Sequence, residues 1–503
     1  MHIFSIKTHS ARASSDQNSL FYLTRSWACV NKRQFRLFLR LSSAFLLALL
    51  TYLASVKHLF FDRTLLDTKP TWNITSIQIN TLISKLENIN AQGYIPEMTD
   101  IYGVGNLARD YKEAYDIYHQ LLAHNYESDT VLRVEKEFFA FEARLFPWVI
   151  KGKKYRSAID MLLNTTGRGI AITTGSKYAL VAKLVVTMLH EIGSTLPIEI
   201  FYCGKDDLGT NELEMFSTFP NVKLADMQDI LGIDQCSRGY ENKPFAVLAS
   251  SFREVIMIDA DVLFFQPPEV IFESAGYKEM GAVIFRDRTL EYGTWNHGPS
   301  LKRLVEEIAH PYLSNLIYPE ARVMRKKTAQ EIDAGVVVWD KMRTMPAILL
   351  TCLLNSSPYK HWIYDRTLGD KETFWLSHEA LHLPLYVPKD NGGSIGRLTE
   401  SRGTYAVCGK LYHQDEEGKP LWFNGGVGLR VPSKDLKMVQ LTHWATESSA
   451  DNVYWDLTTE PFCLIAKLDA PSGYTDPHIG SLDPAEVALT QKMSDLWKEY
   501  FQL

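Results

Sequence analysis

The chain has 503 residues, 46% of them hydrophobic, enough for two or three domains around a sizeable core. A formal net charge of -6, a pI near 6.2 and the lack of a basic, aromatic-interleaved stripe exclude nucleic acid as the first partner to consider. The six cysteines, Cys29, Cys203, Cys236, Cys352, Cys408 and Cys463, contain no C-x-x-C pair, which argues against a zinc ribbon or a thioredoxin-type motif. In an oxidising compartment they allow one or two disulfides, with the connectivity open.

Residues 41–56 carry no charge, and apolar residues extend this run to 37–61 if Arg40 and Lys57 snorkel, which reaches the ~20 residues a bilayer requires. Lys7, Arg12, Arg25, Lys32, Arg33, Arg36 and Arg40 precede it against the single acid Asp16, so the positive-inside rule predicts a cytoplasmic tail at 1–36 and a lumenal body. A cleaved signal peptide and a buried core helix are the alternatives; the long N-terminal region without a small-residue cleavage site argues against the first. Three N-x-S/T triplets, at Asn73, Asn164 and Asn355, all follow this anchor.

From 62 to 155 the pattern is helical, with Tyr111, Tyr115, Tyr118, Leu121 and Leu122 at helical spacing and a charged, aromatic run at 131–145, which predicts a stem and lead-in region. The body, 156–503, opens differently. Gly169-Ile-Ala-Ile-Thr-Thr-Gly175 reads as a strand ending in a glycine turn, Leu180, Leu184, Met188 and Ile192 as a helix face, and 198–202 as the next strand. Further buried-type strands at 255–259, 281–285 and 336–339 predict an α/β fold with a largely parallel sheet, whose ligands bind beyond the carboxyl ends of the strands.

That rule directs attention to Glu254-Val-Ile-Met-Ile-Asp-Ala-Asp261. Alternate residues at a strand end send Asp259 and Asp261 into one crevice, and paired carboxylates there suit a hard divalent ion such as Mg or Mn. A solvated Asp-x-Asp turn is the bland alternative. Asp333, in Glu331-Ile-Asp-Ala-Gly335, can also face the crevice, while Gly335 admits either a ligand's close approach or a bulge. Asn391-Gly-Gly-Ser-Ile-Gly396 lacks the spacing of a phosphate loop and reads as a flexible acceptor-site loop; Asn424-Gly-Gly-Val-Gly428 reads as a turn.

Taken together and in order, the strand with Asp-Ala-Asp, Gly169–Gly175, Leu196–Tyr202, Glu331–Lys341, Gly369-Asp-Lys-Glu-Thr-Phe-Trp375 and His413–Gly425 resemble the fungal alpha-1,3-mannosyltransferases of glycosyltransferase family 71, over about 167–428. The resemblance implies a GT-A-like, Rossmann-type nucleotide-sugar-binding domain behind a transmembrane helix and helical stem. It also implies a single-pass type II protein of the Golgi membrane, GDP-mannose as donor, Mn2+ (or Mg2+) as metal and a mannose-containing glycan as acceptor. An alpha-linked donor giving an alpha-1,3 product means retention.

Residue by residue, it implies Asp259, Asp261 and His413 as metal ligands, with His443 as the competing histidine, and Lys419 on the diphosphate. Gly169 and Thr173 would contact the donor, and Asp370, Glu372 and Asp333 would serve the reaction centre. In Cys408–Trp422 the spacing of His413 to Lys419 and Pro420 agrees with the related element, whereas Gly418 falls late and Leu421 intervenes before Trp422. Glu372 and Asp370 also fit a plain helix N-terminus, where acids complement the macrodipole. The competing functions are a UDP-sugar transferase, a non-catalytic subunit of a transferase complex, and a phosphohydrolase with an Asp-x-Asp nucleophile; Leu263 at the fifth position disfavours the last.

Overall fold

The computed structural model describes residues 74–503 except 125–127, 153, 234–238, 312–319, 402–403, 430–436, 448–452, 459, 467–477 and 503. The expected tail and anchor, and Asn73, Cys29 and Cys236, lie outside the described residues. Among those described, no helix is long and apolar enough to cross a membrane.

Residues 70–503 form one compact unit. It begins with α1 (Ser76–Gln92), started by a reciprocal capping box between Thr75 and Gln78 and ended by Gly93 at φ 62°. α2 (Ile101–His124) follows, with Tyr111, Tyr115, Tyr118 and Leu121 on its buried side, and then α3 (Ser128–Leu145). These helices share a hydrophobic core with the body, and Arg109 of α2 donates to the carbonyls of Ile308, Ala380 and His310. What reads as a stem from 76 onward is thus integral to the fold.

The first sheet has the order β3-β2-β1-β4-β7-β6. β1 (Arg168–Thr173), β2 (Ile198–Tyr202), β3 (Val222–Asp226) and β4 (Glu254–Ile258) run parallel, and α4 (Ala179–Glu191) makes the crossover from β1 to β2. β7 (Ile332–Asp340) runs antiparallel to both β4 and β6 (Ala282–Arg286), so β7 alone opposes the direction of the other five strands and the sheet is largely parallel, as the apolar runs suggested. A strand buried on both faces is uniformly apolar whichever way it runs, so composition does not reveal direction. Three helices cover or flank the sheet: α5 (Lys243–Ala249), α6 (His297–Ile308) and α7 (Lys341–Leu354). α8 (Lys371–Leu381) packs on β7.

A second, antiparallel sheet fills the C-terminal part, ordered β12-β13-β9-β8-β11-β14. It comprises β8 (Gly393–Ser401), β9 (Thr404–Gln414), β11 (His443–Thr446), β12 (Val453–Asp456), β13 (Phe462–Ala466) and β14 (His478–Ser481). β10 (Pro420–Asn424) joins β9 to the short β5 (Leu263–Phe264), and so ties this sheet to the Asp-Ala-Asp turn. Cys408 and Cys463, opposite each other on β9 and β13, form a disulfide; Cys203 is also disulfide-bonded and Cys352 is free and buried. The final helix, α9 (Pro484–Phe501), seats Trp497 against Gly428.

Two sequence expectations change here. Residues 393–396 belong to β8, not to a flexible loop, and Gly396 faces Gly409 across the ladder so closely that a Cβ on either would strike a carbonyl opposite. Asn355 is buried: its amide donates to Thr351 O and Thr373 Oγ1 and it accepts from Tyr364, so no glycan reaches it, whereas Asn164 is exposed.

Candidate active site

At the carboxyl end of β4 the ladder continues one step, with Asp259 N–H donating to Gly335 O at 2.9 Å, and the chain then turns through Ala260. Asp261 holds the next feature in place: its carbonyl accepts from Gly426 N–H at 2.7 Å, in the turn where Gly425 and Gly426 have φ 94° and 57°. Both aspartates face a cleft of about 640 Å³, within the range of small-molecule sites. Its other walls are the exit from β1 at Thr173–Tyr178, Asp206 and Asp207, Met227, and the Tyr240–Lys243 segment entering α5. Asp370, just before α8, closes the same cleft.

Lys243, the first residue of α5, is the residue that sequence reasoning missed. Its ammonium lies 2.7 Å from Asp259 Oδ1, donates to Asp259 Oδ2 at 2.9 Å and lies 3.4 Å from Asp370 Oδ2. Burial pushes the Asp259 carboxyl up to about 8, the Lys243 charge opposing and the neighbouring Asp261 and Asp370 charges adding to the rise. Burial raises Asp261 and Asp370 as well, against the pull of Lys243. Three carboxylates, Asp370 buried and Asp259 and Asp261 half-buried, thus gather around Lys243, a set whose charged form gains from a further positive charge in the cleft. That chemistry fits a hard divalent ion at Asp259 and Asp261.

The other expected residues divide. Thr173 lines the cleft, but Gly169 lies deep in β1 beneath Phe252, whose ring a Cβ would meet at 2.2 Å, so it is a packing glycine. Asp333, buried on β7, accepts from Gly335 N–H at 2.9 Å and pairs with His413 Nε2 at 3.1 Å. Burial pushes that carboxyl up, but the His413 and Gly335 bonds outweigh it and hold it at about 2.

His413 is itself buried, stacked on Trp422 at 4.1 Å, and its Nε2 is taken by Asp333. Among the described residues no group of three His, Cys, Asp or Glu side chains stands ready to hold a metal, so the expected trio of Asp259, Asp261 and His413 is not assembled. His443 is on β11, bonded to Thr442. Of the two roles considered for Gly335 the bulge is seen, β7 bulging opposite Ile284 and Phe285, and the close approach is that of the Asn424 and Trp422 side chains.

Glu372 does not line the cleft. Its oxygens accept from Glu331 N–H and Trp375 Nε1, which clasps the start of β7 to α8, and burial raises its carboxyl to about 7. Lys419 also misses the site. It lies in the β9–β10 turn, its side chain 67% exposed and paired with Glu417. Lys410, on β9, lies nearer: its ammonium lies over Gly425 and donates to Leu429 O at 3.4 Å, and burial lowers it to about 8 against the pull of Asp261 and Glu460. Lys177 lines the cleft, and Lys371, next to Asp370, is bonded to Asp287 and Gln330.

Residues 167–415 match the model of a mannosyltransferase family. Over 298 residues it is 25% identical to the alpha-1,3-mannosyltransferase MNT3 of Saccharomyces cerevisiae, covering 52% of this chain and 46% of that one. Over 255 residues it is 32% identical to the alpha-1,2-mannosyltransferase MNN2 of the same yeast, covering 46% and 43%. The chain therefore spans about half the length of the curated relatives it matches. Overlap with the solved mannosyltransferase Ktr4p of S. cerevisiae covers 62% of this chain and 82% of that one, at 12% identity with a TM-score of 0.26, so the architecture above stands on its own strand order.

Proposed function

We propose that this chain is a GT-A-like mannosyltransferase that moves mannose from GDP-mannose to a mannoside acceptor on glycoproteins, with retention and an alpha-1,3 linkage. The observation that carries the reading is the convergence of Asp259, Asp261 and Asp370 on one cleft at the carboxyl end of the parallel strands, in a chain that matches the model of a mannosyltransferase family. Relatives named for both alpha-1,3 and alpha-1,2 transfer leave linkage to experiment. The Golgi lumen, with 37–61 as anchor, belongs to the same proposal.

Held by Asp259 and Asp261, Mn or Mg supplies Lewis-acid neutralisation of the departing diphosphate. The chain's own residues do the remainder. Lys243 fixes Asp259 and Asp370 at a set separation, so that the strand end and the start of α8 address the donor together. Lys410 offers a charge without a direct carboxylate contact among the described residues, beside the Gly425–Gly426 turn, where a phosphate group is the natural partner. Asp370, at the edge of the cleft, is placed to accept from sugar hydroxyls.

The test is a panel of nucleotide sugars with Mn and mannose oligosaccharides, followed by linkage analysis of any product. Asp259→Asn and Asp261→Asn should each lower turnover on the order of a hundredfold or more while leaving the fold intact. A well-folded variant with parental turnover at limiting Mn refutes the assignment, and transfer from a UDP-sugar in place of GDP-mannose refutes the donor.

A further inference from the structure

Outside the floor of the donor cleft, three apolar side chains are unusually exposed. Tyr240 is 52%, Leu368 50% and Trp295 59% exposed. Tyr240 leans on Gly369, where a Cβ would meet its ring at 2.9 Å. Trp295 stands in the turn between β6 and α6.

Its conformation is unusual: Trp295 (φ 49°, ψ 19°) and Asn296 (φ 59°, ψ 16°) are successive non-glycine residues in the left-handed region. A bulky residue there is strained, and strain persists only where the surroundings hold it, which happens most at ligand sites. The surroundings are firm. α6 buries Leu301, Leu304, Val305 and Ile308, and Gly298 packs directly against Tyr292 O. The strained turn therefore presents an indole to solvent from a rigid base.

The turn is also tied to the reaction side of the cleft. The rings of Trp295 and His297 lie 5.6 Å apart. α6 and α8 pack on each other with their C-terminal ends joined through Arg109, which donates to the carbonyls of Ile308 and Ala380, and His297 at the start of α6 is held below its ordinary range by burial and by the charge of Lys371 at the start of α8. Lys371 in turn is bonded to Asp287 at the end of β6 and directly follows Asp370. An indole face is apolar with a polar edge, which suits a pyranose ring: apolar C–H faces with hydroxyls around the rim.

We infer that Trp295 is the platform of the acceptor subsite, on which one pyranose of a mannoside stacks with its hydroxyls turned toward Lys371 and Asp370. The inference rests on the transferase reading and adds to it where the acceptor lies. It is tested on the full chain by saturation-transfer NMR with methyl α-mannopyranoside, and by the acceptor KM with GDP-mannose and Mn. Trp295→Ala should lose saturation transfer and raise that KM about tenfold or more, Trp295→Phe should retain most of both, and GDP affinity and melting temperature should stay parental.

Trp295→Ala that binds the mannoside as the parent does overturns the proposal. So does a change in particle mass with mannoside binding intact, which would make the indole a contact between copies. If the parent binds GDP and only the Trp295 result fails, the transferase reading stands; if the parent binds neither GDP nor mannoside, both fall.

Discussion

Lys243 stands between Asp259 and Asp370, which would otherwise confront each other inside the protein. Taking charges out of water is costly, and removing one member of a buried pair costs more than replacing both. Lys243→Met should therefore destabilise the protein by about 3–5 kcal/mol. Lys243→Met with Asp259→Asn should recover a good part of that loss in thermal melts without restoring turnover. Equal destabilisation in the single and double variants would show that the lysine's contacts with Asp259 are incidental.

The same reasoning separates Lys419, which the family resemblance put on the diphosphate, from Lys410. In the β9–β10 turn, Asp415 Oδ1 accepts from the N–H groups of Glu417 and Lys419, and Gly418 takes φ 80°, which turns Lys419 out to Glu417. Lys410 keeps its charge inside. Lys410→Gln should weaken GDP binding about tenfold by calorimetry, and Lys419→Gln should leave it unchanged. The reverse pattern would return the diphosphate role to Lys419.

At the scale of elements, what local pattern encodes was legible. Apolar runs marked β1, β2, β4, β6 and β7, and the Tyr111–Tyr118 spacing marked α2, because burial writes itself into periodicity. The Asp-x-Asp pair was readable because a strand end defines where its side chains go. Lys243 was not, since a lysine at the start of a short helix looks like any solvated residue until packing brings Asp370 to it. The second sheet was missed for a related reason: Gly393, Gly396 and Gly409 resemble loop punctuation, whereas close strand contact is what demands them.

Glu142 of α3 offers a test at the same scale. It is fully buried, accepting from Tyr111 Oη and Ala158 N–H, and burial lifts its carboxyl to about 7 against the lowering by those bonds. In the unfolded chain it ionises near 4.5. Between these values the folded state holds the extra proton, so this group's contribution to stability falls as pH rises from 4.5 to about 7 and is constant outside that window. Glu142→Gln removes this pH dependence. Relative to the parent it should gain about 3 kcal/mol on going from pH 4.5 to pH 8. A difference between the two proteins that does not change with pH would mean that Glu142 ionises alike in both states.

For the whole molecule, the question is where the catalytic body begins. The composition change near Gly167 suggests a body that could start at 156, yet the packing places the boundary earlier. Ile79, Leu82, Leu86, Tyr111, Phe138 and Phe141 are buried in one cluster with Leu304, Trp339 and Leu349, so α1–α3 form one wall of the core beneath the first sheet. A chain beginning at 156 would leave the other side of that cluster open to water. At ~25 cal/mol per Å2 of apolar surface, even a few hundred Å2 left uncovered costs several kcal/mol, comparable with the 5–15 kcal/mol that separates folded from unfolded states. The prediction is therefore asymmetric. A chain beginning at Pro70 should be soluble, melt cooperatively and bind GDP with parental affinity, whereas one beginning at 156 should be recovered aggregated or without a cooperative melt. If the shorter chain folds and binds GDP, α1–α3 are a dispensable stem after all, and the shared core counts for little in the stability of the site.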